Sequence, residues 1–90
     1  TSADLALLLA LISSFRNRPL PQDLVIFGEV GLAGEIRPVP SGQERISEAA
    51  KHGFKRAIVP FGNKPKSAVE NMQVFTVKKL SDALALLDNF

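Results

Sequence analysis

The sequence contains no cysteine. That absence removes disulfides, thiolate zinc sites, iron–sulfur clusters and cysteine nucleophiles together, and it fits a reducing compartment. Histidine is almost as scarce: His52 stands alone, so no histidine-rich metal constellation forms. Long apolar runs are missing too. The longest, Leu5 to Ile12, has eight residues against the ~18 of a membrane span, and Asp4 precedes it where a secretory signal would carry a basic start. There is no internal repeat and no low-complexity tract.

What remains is ninety residues, 46% hydrophobic, with 11 Lys+Arg against 9 Asp+Glu. This describes one small soluble domain that buries roughly 60–65% of its unfolded surface. The charge of +2 does not mark a nucleic-acid binder, but its distribution is uneven. Between Lys51 and Lys66 stand Lys51, Lys55, Arg56, Lys64 and Lys66 with no acidic residue. On composition a solvated basic surface outweighs a dedicated nucleic-acid contact. Phe54 and Phe61, the aromatics in that window, read as core. The chain starts at Thr1 rather than Met, from which we expect a piece of a longer protein.

Thr1 to Phe15 reads as a helix capped by Thr1 or Ser2, apolar almost all round and so expected to be covered on more than one side. Pro19 and Pro21 make a connector of residues 16–22. Leu24 to Phe27 is a buried strand continuing towards Val30, and Glu35 to Val39 returns as a hairpin partner, with Pro38 at an edge or strand end. Ser41 and Glu44 form a capping box for the next helix, which Gly53 closes. Ala57 to Pro60 and Val74 to Val77 are further strands, and Ser81 caps a last helix over residues 82–87. The expected architecture is α/β, with one mixed sheet and packed helices.

Simple chemistry is sparse. Gly28, Gly31 and Gly34 lead into a strand rather than a helix N-terminus, so turn geometry explains them better than phosphate binding. His52, beside Gly53, suits the end of a helix. Glu44 and Glu48 share a helix face, and Glu29 and Glu35 are expected to face each other across the hairpin, where solvated or pairing roles outweigh carboxylate catalysis.

The run Gly28-Glu29-Val30-Gly31-Leu32-Ala33-Gly34-Glu35-Ile36-Arg37-Pro38-Val39, then Gln43-Glu44-Arg45, then Ala49-Ala50-Lys51-His52-Gly53-Phe54 resembles the Lon protease domain. It is more similar still to the Lon-like C-terminal domain of the bacterial RadA-type (Sms) DNA repair ATPases. The resemblance extends over essentially all ninety residues. It implies a Lon protease-domain-like α+β fold, here without the strands that normally begin it, which would leave Leu5, Leu7 and Leu11 partly uncovered.

The Lon family uses a serine nucleophile and a lysine base. The serine stands in Gly-Pro-Ser-Ala-Gly, to which Thr1-Ser2-Ala3-Asp4 corresponds here. Ser2 therefore takes the nucleophile position, while Thr1 and Asp4 replace the flanking proline and second glycine. The family lysine corresponds to Arg45, whose guanidinium keeps its proton and cannot serve as base. Lys51 lies about 240° further round the helix and points elsewhere.

The resemblance thus implies a domain without catalysis, Ser2 and Arg45 being vestigial, that supports a homo-oligomeric, hexameric ring and contacts DNA, with Lys51, Lys55, Arg56, Lys64 and Lys66 as contact candidates. No cofactor is expected within these residues; ATP, Mg and Zn are implied for upstream domains. Recombination proteins or a helicase are implied partners, no membrane is, and the location is cytoplasmic. The alternative is an active ATP-dependent Ser/Lys peptidase.

Overall fold

The computed structural model describes residues 2–90. A two-residue strand β1 (Ala3–Asp4) leads directly into helix α1 (Leu5–Phe15). Asp4 is the cap: its carboxylate accepts the Leu7 N–H at 2.9 Å, which satisfies one of the unpaired donors of the first turn. Ser2 lies two residues too early for this, and Thr1 falls outside the described residues. At the other end Asn17 takes a positive φ of 55°, and the Arg18 N–H returns to Ser13 O at 3.0 Å. The helix is thereby closed before Pro19.

Leu24 to Val30 does not form one strand. Strand β2 (Leu24–Ile26) and strand β3 (Glu29–Val30) belong to different sheets, and the break falls at Gly28. Its φ of +141°, with Pro60 Cγ 3.0 Å from where a Cβ would stand, is accessible only to glycine. The expected single mixed sheet is therefore two small sheets. One is antiparallel, in the order β1-β3-β4, with β4 at Ile36–Arg37; the other is parallel, in the order β2-β5-β6, with β5 at Arg56–Pro60 and β6 at Gln73–Val77. Ile36 N–H to Lys78 O (2.9 Å) and Leu80 N–H to Gly34 O (2.8 Å) join the two.

Strand β5 is the centre of the core. Its unbroken apolar run is what a parallel strand covered on both faces requires. Ile58 faces one cluster with Leu5, Leu9 and Val77, while Ala57 and Val59 face another with Phe27 and Ile46. Helix α1 and helix α3 (Leu80–Asp88) supply side chains to the first cluster; helix α2 (Gly42–Lys51) and, from the segment before β6, Val69 and Met72 supply the second.

The helix ends are only partly as expected. Ser41 has φ +61° and makes no side-chain cap bond, so the Ser41–Glu44 capping box does not form: the left-handed backbone turns the hydroxyl away from the first turn. Gly53 does follow α2 at φ +91°, with its N–H on Ala50 O, the usual C-terminal closure. The last helix begins at Leu80 with Lys79 at its N-cap position, so Ser81 lies inside the first turn and does not cap it; the Asp82 carboxylate reaches back to accept the N–H groups of Lys78 and Lys79 at 3.2 and 3.1 Å. Helix α1 is covered on one side only. Leu5 and Leu9 are fully buried, contrary to the exposure expected of Leu5, whereas Leu7, Leu11 and Phe15 remain 62%, 53% and 92% exposed.

Candidate functional site

Strand β1 pairs with β3, Asp4 opposite Glu29, and this brings Ser2 to the carboxyl end of β2. The Ser2 hydroxyl donates to Glu29 Oε2 at 3.2 Å. Arg45 reaches the same place from the start of α2. Its Nε donates to Pro40 O at 3.1 Å, and its guanidinium carbon lies 5.7 Å from the centre of the Phe27 ring. Ser2, Glu29, Arg45, Val39 and residues 26–28 line one open cleft. Ser2 and Arg45, 43 apart in sequence, thus share a site.

The cleft offers a hydroxyl, two carboxylates (Asp4 and Glu29) and one guanidinium, and neither lysine nor histidine lines it. Lys51 is in the last turn of α2, exposed and outside the cleft. This set can orient a polar ligand by hydrogen bonds. It contains no amine able to shed a proton near neutral pH and then take one from serine. Glu29 as the partner of Ser2 was not legible in sequence, because a two-residue strand carries no periodicity. Nor do Glu29 and Glu35 face each other: Glu29 stands opposite Arg37, and Glu35 binds Arg37 Nη2 at 2.8 Å. That hydrogen bond, helped by the Ala33 N–H, holds the Glu35 carboxyl below its ordinary pKa.

The basic window separates in space. Arg56 is committed to Asp23, with Nη2–Oδ1 at 2.8 Å and Nε–Oδ2 at 3.2 Å, and its guanidinium covers the Phe90 ring at 4.5 Å. The Arg56 hydrogen bond holds the Asp23 carboxyl below its usual range against an opposing effect of partial burial, and Asp23 in turn raises Arg56. Lys51 and Lys55 precede β5, whereas Lys64 and Lys66 follow it. Five residues of strand put these pairs about 13 Å apart along the sheet. All four lysines are exposed. Phe61, expected in the core, is half exposed, with Lys78 Nζ 4.5 Å from its ring centre. His52 meets Glu48 Oε1 at 3.2 Å, while its backbone N–H, rather than its ring, caps α2.

Among the described residues no group of three His, Asp or Glu side chains is placed to hold a metal ion, and no helix is long and apolar enough to cross a membrane.

Comparison with known proteins gives close relatives over nearly the whole chain. It is 98% identical over 89 residues to the DNA repair protein RadA of Haemophilus influenzae, covering 99% of this chain and 19% of that protein. The corresponding protein of Escherichia coli is 80% identical over 89 residues, with the same shares. That of Aquifex aeolicus is 41% identical over 86 residues, covering 96% of this chain and 19% of the relative. The chain therefore spans about a fifth of the length of these relatives. Residues 1–63, well over half of the sequence, match the family described as subunit ChlI of Mg-chelatase, and the chain belongs to that family.

Proposed function

We propose that this chain is a non-catalytic, Lon-like scaffold domain of a RadA-type DNA repair and recombination ATPase, supporting assembly of a hexameric ring and contacting DNA in the cytoplasm. The repair context rests on the relatives named DNA repair protein RadA. The non-catalytic reading rests on one observation, the cleft in which Ser2 is accompanied by Arg45 and by no lysine. An ordinary carboxylate is a weak base towards a serine hydroxyl and a guanidinium keeps its proton, which supports reading the Ser2–Glu29 hydrogen bond beside Arg45 as a polar contact rather than as an activated nucleophile. ATP, Mg and Zn, and any recombination protein or helicase, would engage the four fifths of the relatives' length that this chain does not span.

DNA contact falls to the exposed lysines, with Arg56 holding the fold rather than the phosphates. Lys64→Glu combined with Lys66→Glu, in the full-length protein, should weaken DNA binding and lower the slope of log affinity against log salt by about 2, one for each lost phosphate contact. Unchanged affinity and slope would remove DNA contact at these lysines from the proposal.

A further inference from the structure

Beyond that reading, we propose that the outer edge of β6 is a docking site for an acidic, extended peptide segment of a partner protein, which adds to the parallel sheet as a further strand. Strand β6 is the last in the order β2-β5-β6, so one of its edges pairs with no strand over Gln73–Val77 among the described residues. The Gln73 N–H points to β5, where it meets Lys55 O at 2.9 Å. Alternation along a parallel strand then turns the N–H and C=O of Val74 and Thr76 outward. The outward Lys78 O, bonded to Ile36 N–H, follows the same alternation.

The edge is open for a local reason. Strand β4 meets the end of β6 at Lys78, but one step further Pro38 has no N–H to donate. Val39 is then drawn off by Asn63, whose side-chain amide binds both its N–H and its C=O at 2.9 Å. Two outward residues are left with no strand beside them among the described residues and with apolar shelves on both sides: Val69 and Met72 on one face of the sheet, Phe75 and Leu86 on the other.

Charge selects the occupant. Lys64 and Lys66 flank the edge and Lys78 and Lys79 stand at its end, against Glu70 and Asp82; the Asp82 carboxylate is already bonded to the backbone at Lys78 and Lys79. A second copy paired through the same edge would set these lysines against one another, whereas an acidic strand meets them with opposite charge.

The test is an amide NMR titration of the full-length protein, with its valine and threonine amides selectively labelled, by a capped seven-residue peptide of alternating aspartate and valine. The Val74 and Thr76 amide signals should move, and their hydrogen exchange should slow several-fold. The same peptide N-methylated at alternate amides should bind about tenfold more weakly, since it has lost the ladder hydrogen bonds, and a lysine–valine peptide should not bind. Lys64→Glu with Lys66→Glu should weaken the acidic peptide. Thr76→Pro, which removes an outward donor but none of the bonds to β5, should weaken peptide binding about tenfold while DNA affinity stays unchanged, so the two proposals fail separately. Unmoved Val74 and Thr76 signals at saturating peptide, or equal binding of the N-methylated peptide, would overturn the assignment.

Discussion

Arg56 and Asp23, 33 positions apart, meet through two hydrogen bonds of 2.8 and 3.2 Å, and the same guanidinium lies 4.5 Å from the centre of the Phe90 ring. Phe90 in turn sits 5.1 Å from Phe75. One cation thus ties the segment before β2, the start of β5 and the end of the chain together.

The pair makes stability depend on acid. The Asp23 carboxyl, held below its ordinary value in the folded state chiefly by the Arg56 hydrogen bond, contributes fully above the unfolded aspartate pKa of about 3.9. That contribution is lost as the pH falls through the lower folded value. Asp23→Asn should lower the melting temperature at pH 7 and flatten its dependence on pH in the acid range below about pH 4. Arg56→Lys should also lower it, because an ammonium cannot form the planar two-pronged contact and stack on Phe90 at once. Thermal melts from pH 7 down to pH 2 check both.

Helix α1 separates buried from exposed leucines within one turn. Leu9→Ala should cost about 2–5 kcal/mol, the range for a fully buried leucine. Leu7→Gln and Leu11→Gln should each fall within about 0.5 kcal/mol of the parent, as exposed positions do. Urea titrations with unchanged m-values measure the difference.

At the break between the two sheets, Gly28→Ala combines a forbidden φ with contacts of 3.0 Å to Pro60 and 3.3 Å to Ile36, and should cost roughly 2–3 kcal/mol. Gly53→Ala, at φ +91° with no atom within 4 Å of the new methyl, should cost only about 1 kcal/mol. Equal losses in denaturant titrations would contradict the close packing at Gly28.

These contrasts show which features the sequence carried. The apolar run at Ala57–Val59 announced a buried strand because its alternation is absent, and Gly53 announced a helix end because glycine alone takes that backbone cheaply. The split at Gly28 was hidden, since Leu24 to Val30 reads as one β-rich run until Pro60 and Ile36 crowd against it from elsewhere. Ser41 and Glu44 had the spacing of a capping box, but spacing says nothing of the left-handed φ that disables it. The cleft was legible only through family resemblance at Ser2 and Arg45; Glu29 entered it through a strand pairing too short to foresee. The basic window looked like one surface because residues 51–66 are contiguous, yet β5 runs through its middle and Asp23 claims Arg56.

Ser2 and Arg45 share a cleft, and we propose that they do so without forming a peptidase. Turnover of an unfolded protein substrate such as casein, measured with ATP for the full-length protein and for its Ser2→Ala and Arg45→Lys variants, tests it most directly. The parent should show no Ser2-dependent cleavage. Cleavage that the parent performs and Ser2→Ala abolishes would contradict it.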